Sequence, residues 1–284
     1  MNRQLLVVNT LVELRENLKT LRKSGHKVGL VPTMGALHRG HLSLVSASKR
    51  ECGVTVATIF VNPTQFAEGE DLGKYPRTLD ADLELLQSAG ADVVFIPEAD
   101  EMYPDGFSTS IQPPDVAQKL EGEFRSTHFS GVCTIVLKLL NAAVPDVAFF
   151  GQKDYQQACV IGAMVQDLNF PAEIRVCPIV RDEDGLALSS RNRYLDDDQR
   201  KIALTLCETL RWAAEEIESG ELDGHLLMAE MRQQLIDGGV DSVDYAAICH
   251  PNTLEILDTI ETPAVVLLAA HVGTTRLIDN CVVE

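Results

Sequence analysis

The sequence predicts an α/β protein: a Rossmann-like, doubly wound parallel sheet followed by a smaller C-terminal α+β domain. Apolar runs of strand length recur between residues 27 and 180, and helical patterns separate them. Runs that are apolar at nearly every position are typical of parallel strands covered on both faces. A change of pattern and charge after Arg193 predicts the second domain.

The elements of the first domain alternate along the chain. The apolar runs are KVGLVPT, VTVATIFV, ADVVFIP, PDVAFFG and EIRVCPIV. The helical patterns between them are GHLSLVSASKREC, RTLDADLELLQSAG and DYQQACVIGAMVQDLN. Ligands of open parallel sheets bind at the carboxyl ends of the strands, so the loops after these runs are where we expect a site.

The second domain is predicted to begin with a helix. Three aspartates at residues 196–198 favour a helix start. Apolar residues then recur at helical spacing, at Ile202, Leu206, Leu210, Ala213 and Ile217. The helical pattern GHLLMAEMRQQLI and the strand runs VDYAAICH, AVVLLAAHV and TRLIDNCVV follow. We place the domain boundary between residues 184 and 185, which gives ranges 1–184 and 185–284.

Composition and charge argue against several classes of protein. The net charge is −18, and residues 196–284 carry 18 acidic and 5 basic side chains. Such an acidic chain repels nucleic acid, so we expect no nucleic-acid partner. No apolar run reaches the roughly 20 residues of a membrane span, and the amino terminus lacks a signal-peptide cleavage site. We therefore expect a cytoplasmic protein without membrane contact. The seven scattered cysteines indicate free thiols.

The stretch VPTMGALHRGH places two histidines at the end of a strand and the start of a helix. Gly35 and Gly40 allow close approach of the backbone to a ligand, and the helix presents N–H groups to an anion. His38 and His41 face the same side and suit the oxygens of a triphosphate. In isolation this pattern would be read as a turn cap and an exposed side chain, but its strand-to-helix context favours function.

Two further motifs carry cations. In FFGQKDYQQ, Lys153 suits phosphate, and a lysine there opposes the dipole of the following helix, whereas Asp154 suits a cap or a ribose hydroxyl. In DGLALSSRNRYL, Ser189, Ser190 and Arg191 can donate to phosphate oxygens. Alone, this last segment would be read as a solvated linker.

Together these motifs resemble the pantothenate synthetase (pantoate–β-alanine ligase) family, nucleotidyltransferases related to class I aminoacyl-tRNA synthetases. The matching pieces, in order, are PTMGALHRGH, FVNPTQF, YPRTLDADL, THFSGVCTIV, FFGQKDYQQ, RDEDGLALSSRN and TRLIDN. The resemblance implies condensation of (R)-pantoate with β-alanine to pantothenate, AMP and pyrophosphate through a pantoyl adenylate. It also implies Mg²⁺ on the phosphates of ATP, a role in vitamin B5 synthesis and a homodimer.

The resemblance also implies roles for single residues. His41 is the expected proton donor, and His38 and Lys153 the other catalytic residues. The implied ATP contacts are Met34, Gly35, Ala36, Leu37, His38, Arg39, Gly40, His41, Gly151, Gln152, Lys153, Asp154, Val180, Leu188, Ser189, Ser190 and Arg191. Gln65 and Gln157 are expected to hold pantoate, with Asn62 in support. Asp82 is the carboxylate considered for Mg²⁺, although we assign no metal ligand. We expect residues 185–284 to act as a lid that keeps water from the adenylate.

Other functions stay open at this point. A phosphorylated-acceptor adenylyltransferase would share the histidine pair but would not need the NPTQF and DYQQ segments. A non-catalytic nucleotide sensor would bind ATP without releasing pyrophosphate. A tRNA-aminoacylating enzyme is disfavoured by the negative charge and by the lack of a basic anticodon-binding extension.

Overall fold

A computed structural model describes residues 4–23, 25–67 and 70–284. The chain divides into two compact units, each with its own internal contacts. The first comprises the described residues up to Gly151 together with Val160–Pro178, and the second comprises Gln152–Cys159 and Ile179–Glu284. These bounds differ from the ranges 1–184 and 185–284, so that division and the lid role stay predictions.

The first unit is built on a six-stranded sheet in which every neighbouring pair is parallel. Its strands are β1 (Leu6–Val8), β2 (Val28–Val31), β3 (Val54–Thr58), β4 (Val93–Phe95), β5 (Val147–Gly151) and β6 (Glu173–Cys177). The order is β1-β4-β3-β2-β5-β6. The chain moves from β2 to one side and later returns to β5 on the other. The carboxyl ends of β2 and β5 therefore form the switch point at which such sheets bind ligands.

Helices follow most of these strands. They are α1 (Leu11–Arg22), α2 (Arg39–Glu51), α3 (Leu79–Ala89), α4 (Ala99–Met102), α5 (Glu121–Phe124), α6 (His128–Ala143) and α7 (Tyr155–Asp167). Alternate strand residues enter two cores: Leu30 and Phe150 pack with residues of α1 and α6, and Val31 and Phe149 with residues of α2 and α3. Burial on both faces explains the apolar runs of β2 to β5, whereas the edge strand β6 is partly exposed. The predicted α/β class is confirmed. The structure adds β1, α1, α4, α5 and α6 to the predicted elements.

The second unit contains helices α8 (Asp197–Ser219) and α9 (Gly224–Asp237) and an antiparallel sheet. The strands of this sheet are β7 (Ser242–Cys249), β8 (Ala264–Val272) and β9 (Thr275–Val283), in that order. Asp196 caps α8 by accepting the N–H groups of Asp198 and Gln199, which fits the predicted helix start. Leu206 and Leu210 of α8 pack with residues of the sheet. The predicted α+β elements are confirmed.

Two expectations from composition can be compared with the structure. All seven cysteines are free thiols, as predicted. Among the described residues, no helix combines the length and the apolar character that crossing a bilayer requires.

Candidate active site

The loop between β2 and α2 carries the histidine pair and has an unusual backbone. Gly35 and Ala36 have φ angles of 82° and 50°, in the left-handed region. A Cβ atom at Gly35 would lie 3.1 Å from Oδ2 of Asp82. Thr33 anchors the start of the loop, because its hydroxyl donates to the carbonyl of Thr58 at 2.5 Å and accepts the N–H of Gly35 at 3.2 Å. Glycine is thus needed at position 35 for both conformation and space.

A buried carboxylate on α3 holds the same loop. Asp82 is 1% exposed and accepts the backbone N–H groups of Ala36 at 2.9 Å and Leu37 at 2.8 Å. The hydroxyl of Thr78 also donates to it, at 3.2 Å. Both carboxylate oxygens therefore bind protein donors, and Asp82 anchors the loop, whereas the Mg²⁺ contact considered from sequence stays a prediction. The described residues contain no cluster of three or more His, Cys, Asp and Glu side chains suited to a metal.

The two histidines lie together at the first turn of α2. His38 is the N-cap, and the ring centroids of His38 and His41 are 4.1 Å apart. Nδ1 of His38 accepts the N–H of Gly40 at 3.2 Å, and Nδ1 of His41 accepts the N–H of His38 at 3.3 Å. In the neutral ring the proton is then on Nε2. Each imidazole is consequently an Nε2–H donor at the N-terminus of a helix, where anions are favoured.

The 3-10 turn Pro63–Gln65 carries the first predicted pantoate ligand. Buried Asn62 donates from Nδ2 to Oε1 of Gln65 at 3.2 Å, which fixes the orientation of the amide, and Nε2 of Gln65 lies 2.9 Å from Sδ of Met34. A Cβ atom at Gly131 would lie 2.3 Å from the carbonyl oxygen of Thr64. Glycine in α6 therefore allows this turn to approach the helix closely.

Two side chains that sequence reasoning missed hold the backbone of Gln65. Nδ1 of His128 donates to the Gln65 carbonyl at 2.9 Å, and Nη2 of Arg125 lies 3.4 Å from the same oxygen. Arg125 also makes two 2.7 Å hydrogen bonds to Glu70.

The surroundings of His128 and Glu70 lower the pKa of each side chain. Burial, aided by the charge of Arg125, lowers the pKa of His128 to about 4, so the ring is neutral at neutral pH. Burial pushes the pKa of Glu70 upward, but the bonds and charge of Arg125 outweigh it and lower that pKa. His128 belongs to the motif THFSGVCTIV, which was the available signal.

In the second unit, Lys153 lies in the 3-10 turn Gln152–Asp154, directly after β5. Its Nζ is 3.4 Å from Oδ1 of Asp154. The side chain of Asn280 donates to the carbonyls of both Gln152 and Lys153, at 3.0 Å each. Helix α7 starts at Tyr155, one residue later than the predicted pattern, and carries Gln157, which is half-buried.

The segment from Val180 to Arg191 folds back on itself. The N–H of Leu188 donates to the carbonyl of Val180 at 3.0 Å, which makes these two predicted ATP contacts neighbours. Oγ of Ser189 accepts the N–H of Arg191 at 3.3 Å and caps the 3-10 helix Ser190–Tyr194. The serines and Arg191 are therefore presented by an ordered turn and not by an extended linker.

The predicted site residues thus fall into two groups. In the first unit the structure gathers Met34–His41 with Asn62 and Gln65, and Gly151 lies at the carboxyl end of β5, the neighbour of β2. In the second unit it gathers 152–154, Val180 and 188–191 around β9. The catalytic and binding roles of these residues stay predictions.

Comparison with known proteins identifies close relatives over nearly the whole chain. The profile of the pantoate-beta-alanine ligase family matches residues 6–282. Pantothenate synthetase 1 of Bradyrhizobium diazoefficiens is 49% identical over 279 residues, which cover 98% of each chain. Pantothenate synthetase of Rhodopirellula baltica is 53% identical over 261 residues, 91% of this chain and 92% of the relative.

Solved structures agree with the sequence relatives. Pantothenate synthetase from Thermus thermophilus has a TM-score of 0.92 at 44% identity and covers 97% of this chain and 98% of its own. Pantoate-beta-alanine ligase from Francisella tularensis, complexed with beta-gamma ATP and beta-alanine, has a TM-score of 0.83 at 35% identity and covers 98% and 97%. The chain belongs to the pantoate–β-alanine ligase family.

Proposed function

We propose that this ligase condenses (R)-pantoate with β-alanine through a pantoyl-adenylate intermediate, with ATP cleaved to AMP and pyrophosphate. Family membership supports the overall ligation. The ATP and β-alanine in the Francisella relative support these two molecules as ligands of this chain. A carboxylate is a poor electrophile, so adenylation supplies the leaving group that the amine displaces.

The observation that carries the proposal is the pair His38 and His41 at the N-terminus of α2, in which both Nδ1 atoms accept backbone N–H groups. Two Nε2–H donors at one helix N-terminus match an anion with several oxygens, such as a triphosphate. In the first step a carboxylate oxygen of pantoate attacks the α-phosphorus of ATP, and the bond from that phosphorus to the pyrophosphate oxygen breaks. His38, His41 and Lys153 donate to the oxygens on which negative charge accumulates. His41 donates to the departing pyrophosphate.

In the second step the amine of β-alanine attacks the carbonyl carbon of the adenylate. The carbon–oxygen bond to AMP breaks, and the amine nitrogen releases a proton to water as the amide forms. Gln65 and Gln157 hold pantoate, because an amide donates to a carboxylate and accepts from hydroxyls. Asn62, His128 and Arg125 fix the side chain and backbone of Gln65.

Magnesium enters this scheme as part of the substrate. The described residues offer no group of three metal-binding side chains, and Asp82 is engaged by the loop after β2. We propose that Mg²⁺ arrives bound to the phosphates of ATP and retains water as its other ligand. The homodimer and the cytoplasmic location implied by the family stay predictions.

Isotope exchange tests the proposal directly. With ATP and pantoate but no β-alanine, labelled pyrophosphate is expected to enter ATP, and omission of pantoate is expected to abolish that exchange. Addition of β-alanine should yield pantothenate and AMP. A phosphorylated-acceptor adenylyltransferase would exchange only with its own acceptor, and a nucleotide sensor would not exchange. Exchange that strictly requires β-alanine would contradict the two-step order.

A further inference from the structure

We infer that strand β9 positions the phosphate-binding residues of the second unit, with Asn280 and Asp279 as positioning residues. These consecutive residues belong to the motif TRLIDN, which the proposed mechanism does not otherwise use. The inference rests on the proposed function, because it takes Lys153 and residues 188–191 to act on the phosphates of ATP.

Asn280 holds the turn that carries Lys153. It is 2% exposed, and its Nδ2 donates to the carbonyl oxygens of Gln152 and Lys153 at 3.0 Å each. Its Oδ1 accepts from Nε2 of Gln152 at 3.3 Å. A single amide therefore binds two successive peptide carbonyls, which fixes the backbone from which the lysine side chain departs. A three-residue 3-10 turn has little stability of its own, so its conformation depends on such external bonds.

Asp279 acts on the opposite face of the same strand, as the alternation of side chains requires. It is 3% exposed, and its two oxygens bind Nη1 and Nη2 of Arg181 at 2.6 and 2.9 Å. Nη1 of Arg181 also donates to the carbonyl of Gly185 at 3.1 Å. Arg181 directly follows Val180 and so ties the base of the 180–188 segment to β9.

The two contacts share one rigid support. Asp279 and Asn280 pair with Leu268 and Leu267 of β8 in an unbroken antiparallel register. The position of Lys153 relative to residues 188–191 is therefore set by adjacent residues of a single strand. Phosphoryl transfer depends on such placement, because a displacement of about 1 Å can cost roughly 100-fold in rate.

The test uses Asn280→Asp, which keeps the shape of the side chain but places an oxygen opposite the two carbonyls. Pantoate-dependent pyrophosphate exchange is expected to fall roughly 10- to 100-fold. In a Lys153→Ala background the same substitution should cost less than about threefold, because the residue through which it acts is already gone. A merely structural role would give equal losses in both backgrounds, and that result would overturn the inference.

Asp279→Asn provides the complementary arm. The loss of exchange rate caused by Asp279→Asn should persist in the Lys153→Ala background and become smaller in an Arg191→Ala background. The reason is that Asp279 acts through Arg181 and the loop that carries Arg191. The opposite pattern would overturn the inference. If Asn280→Asp fails to fold, Asn280→Ser takes its place and carries the same expectation.

Controls separate this inference from the proposed function. Cys281→Ser changes the next residue of β9, whose thiol contacts the carbonyl of Leu210, and should leave exchange within about twofold. Wild-type protein without pantoate-dependent exchange would refute the adenylate step, before any variant is made. Wild-type exchange in Lys153→Ala would refute the role of the lysine and, with it, the role of Asn280.

Discussion

Replacement of Asp82 by alanine is expected to destabilise the first unit and to displace the histidine loop. The substitution leaves the N–H groups of Ala36 and Leu37 buried without their acceptor, and each such loss costs about 1–3 kcal/mol. We therefore expect the free energy of unfolding to fall by about 2–6 kcal/mol. Asp82→Asn keeps one acceptor and should cost about half as much.

Urea denaturation followed by circular dichroism measures the loss of stability, and pyrophosphate exchange measures the displacement of the loop. Asp80→Asn is the matched control, because Asp80 lies in the same first turn of α3 but is exposed. Its effect should stay within about 0.5 kcal/mol. A folded Asp82→Asn protein with the stability and exchange rate of the wild type would show that the carboxylate does not hold the loop.

Other substitutions test other parts of the site. Gly35→Ala should abolish exchange activity and lower the free energy of unfolding by about 1–3 kcal/mol. Gly106 has the same φ of 82°, but nothing lies within 4 Å of an added Cβ atom, so Gly106→Ala should lower the free energy of unfolding by only about 1 kcal/mol and leave activity unchanged. For His128 the folded pKa of about 4 lies below the unfolded 6.5, so its contribution to stability is complete above pH 6.5 and is lost as pH falls from 6.5 to 4. Asn at this position retains a donor to the Gln65 carbonyl, so urea melts of His128→Asn should depend less on pH across that window, and an unchanged slope would contradict the assignment. His41→Asn should lower the exchange rate roughly 10²- to 10⁴-fold with little change in melting temperature, and near-full turnover would remove His41 from the mechanism. Gln157→Ala should raise the KM for pantoate far more than that for ATP, and equal effects in steady-state kinetics would count against its role.

The elements of the fold that sequence predicted are those with a clear local pattern. The strands β2 to β5 lie in nearly continuous apolar runs, and α8 combines a capping aspartate with a regular apolar face. Helix α6 was not predicted from the sequence. Most of its residues are buried, so it lacks the wide polar face from which a helical period is recognised. Strand β1 has only three residues and lies at the edge of the sheet, where Leu6 and Val7 are exposed.

In the candidate site, too, only features with a local sequence pattern could be predicted. The histidine pair could be predicted because its two members are three residues apart on one helix. The supports of the site lie far away in sequence: Asp82 is 46 residues from Ala36, His128 is 63 from Gln65, and Asn280 is 128 from Gln152. No local spacing encodes which distant carbonyl or N–H group a buried side chain will meet.

The backbone N–H groups that donate to Nδ1 of His38 and His41 affect how this pair could bind transition-metal ions. An imidazole binds zinc or copper through an unprotonated ring nitrogen with an available lone pair. Here the Nδ1 lone pair of each ring accepts a hydrogen bond from a backbone N–H group, and the neutral ring then carries its proton on Nε2. Chelation by the pair would require loss of a capping bond or a proton at each ring. The fold thus places two neighbouring histidines at a helix N-terminus while disfavouring the metal chelate that such a pair would otherwise form.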